Sequence, residues 1–191
     1  MIVYLHGFNS SPGSTKARAL EEAMAADGRQ DRLRVPKLPH RPSCAIRVIE
    51  AAIGACAQTP TLVGSSLGGY YATYLAETMG LKAVLINPAV RPLDLLPGLL
   101  GPQRNAYTGE EWVLTQTHID DLARLDVPAI TDPARYLLLT QTGDEVLDYV
   151  QGCEKFAGAR QVVIPGGNHA FAEFSRYIPM ILAFACASGE A

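Results

Sequence analysis

The most informative segment of this chain is Thr61-Leu62-Val63-Gly64-Ser65-Ser66-Leu67-Gly68-Gly69-Tyr70. Within it, Gly64 to Gly68 matches the pattern G-x-S-x-G, in which a strand ends, the chain reverses sharply and a helix begins at once. Glycines are needed two residues before and after the serine, because any side chain there would clash in so tight a turn. The pattern therefore predicts that Ser66 lies at the apex of the turn with its hydroxyl exposed.

The flanking sequence supports this interpretation. Residues 61–63 form a short apolar run after Pro60, which is typical of the end of a buried strand. Residues 70–79 place apolar side chains at helical spacing, and Gly80 follows as a helix stop. The stretch by itself leaves open an ordinary strand–turn–helix with an inert serine.

The composition limits the class of protein. The chain has 191 residues, of which 48% are hydrophobic and 18% charged, as expected for one domain with a substantial core. A net charge of −3 gives no basic surface for nucleic acid, and no apolar run is long enough to span a membrane. The N-terminus lacks a basic leader, and the four scattered cysteines are typical of reduced thiols. We therefore expect a cytoplasmic protein, and its oligomeric state stays open.

Short apolar segments alternate with helical segments along the whole chain, and this pattern is typical of a parallel sheet buried on both faces. The sequence therefore predicts a single α/β domain over residues 1–191, with a mostly parallel central sheet and helices on both faces. The expected strands are residues 1–5, 33–36, 61–63, 82–86, 135–140 and 160–164.

Residues 89–117 differ in composition from the rest, being rich in proline, glycine and leucine. Long irregular segments inside compact domains are often functional, so we expect a small cap or lid inserted here. Leu93, Leu96 and Leu99 would then form part of a pocket for the acyl group of a substrate. Ordinary core packing of these leucines is an equally good interpretation.

Three of the expected loops carry the groups of a nucleophilic site. Ser66, Asp144 and His169 each follow the carboxyl end of an expected strand, where ligands bind in open parallel sheets. A serine hydroxyl needs a histidine to accept its proton, and the histidine needs a carboxylate to orient and stabilise it. The chain order Ser, Asp, His is that of the α/β-hydrolase triad.

Other residues are candidates for the base and for the acid of the triad. The other histidines lie in a proline loop (His40), at a helix start (His118) and in the turn before Gly7 (His6), so His169 is the best base. Asp144 precedes an expected helix over residues 145–156 and is also a possible N-cap. Its nearest rivals as the triad acid are Glu145 and Asp148.

Acyl transfer also requires two N–H donors that face the developing oxyanion. The backbone N–H of Leu67, directly after the serine, supplies one of them. The other is expected from the loop after the first strand, His6-Gly7-Phe8, with the Phe8 N–H as donor. The alternative is that both side chains simply pack.

The motifs in combination resemble the YqiA-type bacterial esterases, which are small α/β-hydrolases. The resemblance runs over nearly the whole chain and rests on the segments 4–12, 64–69, 87–89, 142–147 and 166–169. It implies a minimal α/β-hydrolase fold with Ser66 as nucleophile, Asp144 as acid and His169 as base. It also implies hydrolysis of carboxylic esters, and of acyl-CoA thioesters in some cases, without a cofactor. Asn168 stands where the family often has Asp, beside the base and outside the triad.

The sequence allows two other classes of function besides a serine esterase. Residues 7–16 are rich in glycine and serine and precede a helix, but their spacing does not match G-x-x-x-x-G-K-[ST], so a phosphate-binding loop is disfavoured. A non-catalytic binding protein on a hydrolase scaffold is the remaining alternative. The complete set of Ser66, Asp144 and His169 favours the enzyme.

Overall fold

Six parallel strands form the central sheet in the computed structural model, which describes residues 1–187. Each strand is short and mostly apolar, and parallel pairing continues without a break across the sheet. In spatial order the strands are β2 (Leu33–Arg34), β1 (Ile2–Leu5), β3 (Thr61–Ser65), β4 (Ala83–Ile86), β7 (Tyr136–Gln141) and β8 (Arg160–Ile164). The four remaining residues of the predicted domain, 188–191, lie outside the described part.

Seven α-helices connect or flank these strands in the described residues. They are α1 (Thr15–Ala26), α2 (Pro42–Gly54), α3 (Leu67–Met79), α4 (Pro92–Leu95), α5 (Gln116–Ala123), α6 (Tyr149–Lys155) and α7 (Ile178–Cys186). Short 3₁₀ turns cover Gln30–Arg32, Leu96–Leu99, Pro133–Arg135 and Phe174–Tyr177. Among residues 1–187, no helix combines the length and the apolar character needed to cross a membrane.

The core has two halves because alternate residues of each strand point to opposite faces of the sheet. Leu5 belongs to the half that is covered by α2 and α3, together with Ile49. Tyr4 belongs to the half that is covered by α1 and α7, together with Leu20 and Ile181. Each fully buried aliphatic side chain of this kind stabilises the fold by about 1.5–3 kcal/mol. The predicted α/β architecture, with a parallel sheet buried on both faces, is confirmed.

Residues 89–117 are more regular than their composition indicated. After α4 they form an antiparallel hairpin of β5 (Gly101–Arg104) and β6 (Glu111–Leu114). Asn105 closes the hairpin, since its buried side-chain oxygen accepts the N–H groups of Tyr107 and Thr108. The hairpin therefore depends on one buried polar residue rather than on an alternating apolar pattern.

Candidate active site

The turn around Ser66 has the geometry that the glycine spacing predicts. Ser66 lies between β3 and α3 with φ 54° and ψ −122°, a conformation that L-residues rarely adopt. A Cβ on Gly64 would overlap the Gly68 carbonyl, and a Cβ on Gly68 would overlap the Leu5 carbonyl. Only glycine fits at these two positions, so the packing of backbone on backbone holds Ser66 in its strained conformation.

The three predicted catalytic residues lie in one hydrogen-bonded row. The Nε2 atom of His169 is 3.1 Å from the Oγ atom of Ser66. On the other side of the ring, Nδ1 is 2.9 Å from Oδ2 and 3.0 Å from Oδ1 of Asp144. With the imidazole proton on Nδ1, the ring donates to the carboxylate and accepts the serine hydroxyl at Nε2. This arrangement can deprotonate the serine.

The carboxylate of Asp144 accepts hydrogen bonds from three N–H donors, and its side chain is 1% exposed. Burial raises its pKa, but the bonds from the His169 ring and from the Leu147 and Val146 N–H groups outweigh burial and lower the pKa below its usual value. Asp144 is therefore ionised near neutral pH. It can orient the ring and stabilise a positive charge on it.

The rival carboxylates have other partners. Glu145 accepts the backbone N–H of His169 at 2.9 Å, and this bond lowers the pKa of its carboxyl group. Asp148 accepts the N–H of Val150 and thereby caps α6, which begins at Tyr149 and not at residue 145 as expected. Residues 145–147 form a bend instead of a helical turn, and in this bend Asp144 accepts the N–H groups of Val146 and Leu147.

The other three histidines also have structural partners. His6 is buried, its Nε2 accepts the Leu38 N–H at 3.2 Å, and burial lowers its pKa. His40 stacks on the Trp112 ring at a centroid distance of 4.3 Å. His118 bonds to Thr115 at the start of α5, in a capping box. The structure therefore brings His169 to Ser66 and places these three elsewhere.

The loop after β1 runs beside the serine, as expected for an oxyanion-binding loop. A Cβ built on Gly7 would lie 3.1 Å from Cβ and 3.5 Å from Oγ of Ser66. Phe8, the next residue, packs edge-on against Trp112 at 5.6 Å. Leu67 is the first residue of α3, so its N–H has no acceptor within the helix. The two predicted donors thus belong to segments that flank Ser66.

Two buried amides for which the sequence predicted no role fix the loop of His169. The Nδ2 atom of Asn87 donates to the carbonyls of Asn168 (3.0 Å) and His169 (3.3 Å), and its Oδ1 accepts the Gln141 N–H. The Oε1 atom of Gln141 accepts the N–H groups of Asn168 and Ala172. Both amides stand at the carboxyl ends of central strands. This position in the sequence is the feature from which a role near the site could have been predicted.

Replacing Asn87 by Ala should lower kcat about 10- to 100-fold. The variant leaves two carbonyls of the His169 loop without their donor, so the imidazole loses its alignment with Ser66. Because Asn87 is not among the residues that line the cavity beside Ser66, we expect KM to change less than about threefold. Steady-state kinetics and a melting curve would separate these effects. A loss of thermal stability with kcat unchanged would show that Asn87 has no positioning role.

A cavity of about 700 Å³ opens beside Ser66. Its walls come from β1 and the loop after it, from the start of α1, and from the segment that follows His169. Phe8 and Tyr107 expose aromatic surface to it, whereas Tyr4 and Phe171 are almost fully buried in its floor. The structure does not bring Leu93, Leu96 and Leu99 to this cavity.

The three leucines are placed by ordinary packing. Leu96 is 7% exposed and belongs to the core beneath α3 and α5, where Leu93 packs against the same cluster. Leu99 is 48% exposed on the outside of the 3₁₀ turn. The apolar run therefore anchors this segment to the domain.

Within residues 89–117, the part that reaches the cavity is the hairpin turn, through Ala106 and Tyr107. The hairpin is attached to the loop after β1, because the Oδ1 atom of Asn9 accepts the Trp112 indole N–H at 2.8 Å. In addition, the Nδ2 atom of Asn105 donates to the Ser10 carbonyl at 2.7 Å. The same loop thus contacts both Ser66 and the hairpin.

Comparisons with known proteins give a family for the chain and structures with a similar fold. The model of the family described as "Uncharacterised protein family (UPF0227)" matches residues 1–186. A UPF0227 protein of Shewanella sp. (strain ANA-3) is 27% identical over 192 residues, covering 96% of this chain and 98% of that protein. A UPF0227 protein of Vibrio vulnificus (strain CMCP6) is 24% identical over 187 residues, with the same coverage.

Solved structures are similar over nearly the whole chain. The α/β-hydrolase domain-containing protein 10 from mouse superposes with a TM-score of 0.73 at 18% identity. The match covers 95% of this chain and 88% of the mouse chain. The esterase domain of a Rhodothermus marinus protein has a TM-score of 0.67 at 15% identity. The match covers 96% of this chain and 85% of the Rhodothermus chain. The predicted α/β-hydrolase fold is therefore confirmed.

Proposed function

The chain belongs to the UPF0227 family, which includes the YqiA-type proteins that its motifs resemble, and from its site we propose that it is a serine hydrolase of carboxylic esters. The observation that carries the proposal is the row Ser66–His169–Asp144, with hydrogen-bond distances of 3.1 and 2.9 Å, at the mouth of a cavity. Esterase and hydrolase structures among its structural neighbours support the same class of reaction.

In the proposed mechanism, Ser66 attacks the ester carbonyl while its proton passes to Nε2 of His169. The C–O bond to the leaving alcohol then breaks, and His169 returns the proton to the alcohol. Water, deprotonated by His169, then attacks the acyl group on Ser66. The C–O bond to Ser66 Oγ breaks, His169 returns the proton to that oxygen, and the acid is released. Asp144 stabilises the imidazolium in both half-reactions, and no cofactor takes part.

The oxyanion of each tetrahedral intermediate is assigned to the backbone N–H groups of Phe8 and Leu67. The assignment rests on the approach of Gly7 to Ser66 and on the position of Leu67 at the N-terminus of α3. The helix dipole of α3 adds a partial positive charge at the same place. Removal of one donor of this kind commonly lowers kcat by a factor of about 10²–10³.

For the substrate we propose a small ester of a short-to-medium acyl chain, with thioesters included because they undergo the same acyl transfer. A cavity of about 700 Å³ with aromatic walls accommodates a group of this size. The hairpin within residues 89–117 forms the cap, since its turn covers one side of the cavity through Ala106 and Tyr107.

A panel of 4-nitrophenyl acetate, butyrate and octanoate, with a butyryl thioester, tests the proposal. We expect the folded protein to accelerate hydrolysis of the acetate and the butyrate about 10³-fold or more over the spontaneous reaction. Release of 4-nitrophenolate, followed by its absorbance, gives the rates for the three nitrophenyl esters, and titration of the released thiol gives the rate for the thioester. Failure of the whole panel with folded protein would favour a binding protein on this scaffold.

A further inference from the structure

The loop that carries the Phe8 N–H is held from two directions. On the sheet side, the buried Nε2 atom of His6 accepts the Leu38 N–H at 3.2 Å. On the other side, every hydrogen bond that Asn9 and Ser10 make within residues 1–187 goes to the hairpin of β5 and β6. Phe8 lies between these two anchors, so the direction of its N–H depends on both of them.

Asn9 is the centre of the second anchor. Its Oδ1 atom accepts the Trp112 indole N–H at 2.8 Å, and its Nδ2 atom donates to the Gln103 side-chain oxygen at 3.1 Å. Its backbone carbonyl accepts the Ala106 N–H at 3.1 Å. Asn9 has φ 51°, in the left-handed region that asparagine enters more readily than most residues do. Three bonds thus join the hairpin to the residue directly after the proposed oxyanion donor.

The Trp112 ring is itself fixed on both sides. It stacks on His40 at a centroid distance of 4.3 Å with 7° between the ring planes, and the Phe8 ring meets it edge-on at 5.6 Å. Trp112 is not among the residues that line the cavity beside Ser66. Its influence on the site therefore passes through Phe8 and Asn9.

The Phe8 N–H has the properties of a donor kept for a ligand. It donates to no acceptor within residues 1–187, and the loop that carries it runs beside Ser66. Catalytic groups have to be held within about 0.5 Å and 10–20° of their productive geometry by surrounding contacts. The bonds of Asn9 to the hairpin are the contacts nearest to Phe8 that can provide this restraint.

We propose that Asn9 and Trp112 are positioning residues, which hold the Phe8 N–H in the direction of the oxyanion. This inference rests on the proposed hydrolase function and gives the hairpin a second role besides covering the cavity. The oxyanion forms only after the substrate is bound. The two residues therefore act on the transition state, and we expect them to affect kcat and to leave ground-state binding nearly unchanged.

The variant Asn9→Gly tests the proposal. Glycine adopts the positive φ without strain, so the variant deletes the two side-chain bonds and leaves the backbone conformation accessible. We expect kcat for 4-nitrophenyl butyrate to fall about 10- to 100-fold, less than or equal to the loss of a whole donor, with KM within about threefold of wild type. A melting curve verifies that the variant is folded.

A second variant and a matched control come from strand β6. Trp112→Phe deletes the indole N–H but keeps an aromatic ring beside Phe8, and it should lower kcat about tenfold. Val113→Ala shortens the next side chain of the same strand, which is 55% exposed. This control should leave kcat within about twofold of wild type.

Inhibition by butane-1-boronic acid supplies a readout that a merely structural role would not move. The Oγ atom of Ser66 adds to the trigonal boron and its proton passes to His169, so the tetrahedral adduct carries an oxygen in the place of the oxyanion. In Asn9→Gly, the inhibition constant should rise by about the same factor as kcat/KM falls. A variant whose cavity is merely loosened would show a raised KM as well.

Trp112 is the single tryptophan of the chain, so its fluorescence reports on the junction between the hairpin and the loop of Phe8. In wild type, the emission should change as butane-1-boronic acid binds, with a midpoint equal to the inhibition constant. At saturating boronic acid, Asn9→Gly should lose most of this change, because the bond that connects Asn9 to the indole is absent.

Folded Asn9→Gly with kcat within about twofold of wild type would overturn the positioning role. A wild-type emission that stays constant while the boronic acid inhibits would also overturn it, as would a rise in KM as large as the fall in kcat. The proposed hydrolase function fails on different grounds, namely when wild type does not hydrolyse the 4-nitrophenyl esters or when Ser66→Ala hydrolyses them as wild type does.

Discussion

Replacing Ser66 by Ala is expected to lower kcat/KM for 4-nitrophenyl butyrate about 10⁴-fold or more. The variant removes the only atom that the row of hydrogen bonds activates, because His169 Nε2 is 3.1 Å from Ser66 Oγ. Alanine is small enough for the turn, and it tolerates the positive φ no worse than serine does. The fold should therefore survive, and a melting curve close to that of wild type would verify this.

Ser65→Ala is the matched control, since it deletes a hydroxyl from the neighbouring residue at the end of β3. We expect it to keep most of the turnover, within about tenfold of wild type. Retention of wild-type turnover in folded Ser66→Ala would contradict the assignment of the nucleophile. Equal losses in the two variants would indicate a general disturbance of the turn.

Replacing Asp144 by Asn is expected to lower kcat about 10³- to 10⁴-fold. Asparagine keeps the shape of the side chain, but it removes the negative charge and allows the amide to donate to the ring. His169 then loses the tautomer that accepts the Ser66 proton, and the imidazolium loses its stabilising charge. KM for the same ester should change far less than kcat, because Asp144 does not line the cavity.

Glu145→Gln is the matched control for Asp144→Asn. The two carboxylates are adjacent and both contact His169, but Glu145 contacts only the backbone N–H and Asp144 contacts the ring. We expect the glutamine variant to lose tenfold or less, since its amide oxygen can still accept that N–H. A larger loss in Glu145→Gln than in Asp144→Asn would reverse the assignment of the triad acid.

The triad was predictable from sequence because its signals are local and their order is informative. Gly64 and Gly68 mark a turn that backbone sterics alone require, and this turn lies at the carboxyl edge of the sheet. Parallel strands bring all their carboxyl ends to one edge, so Asp144 and His169 had to lie near Ser66 once the strands were recognised. The same reasoning placed the loop of Gly7 beside the serine.

The residues that line the substrate cavity were not predictable in the same way. A run of leucines looks alike in a core and in an acyl pocket, and for Leu96 only the three-dimensional packing shows that it lies in the core. The hairpin of β5 and β6 lacks an alternating apolar pattern, and it forms because Asn105 closes its turn and Trp112 bonds to Asn9. Such long-range polar contacts leave no periodic trace in the sequence.

The buried amides of Asn87 and Gln141 were missed for a related reason. Their function depends on carbonyl and N–H groups of a loop about 80 and 30 residues away in the chain, and no motif connects these positions.

Labelling with a fluorophosphonate probe, followed by peptide mapping, tests most directly whether Ser66 is an activated nucleophile. The probe reacts with a serine that a neighbouring base deprotonates, and the bond it forms does not hydrolyse during the experiment. We expect one adduct, on the peptide that contains Ser66, with labelling slowed in Asp144→Asn and abolished in Ser66→Ala. Folded wild type that stays unlabelled, or an adduct on any other residue, would contradict the proposed mechanism.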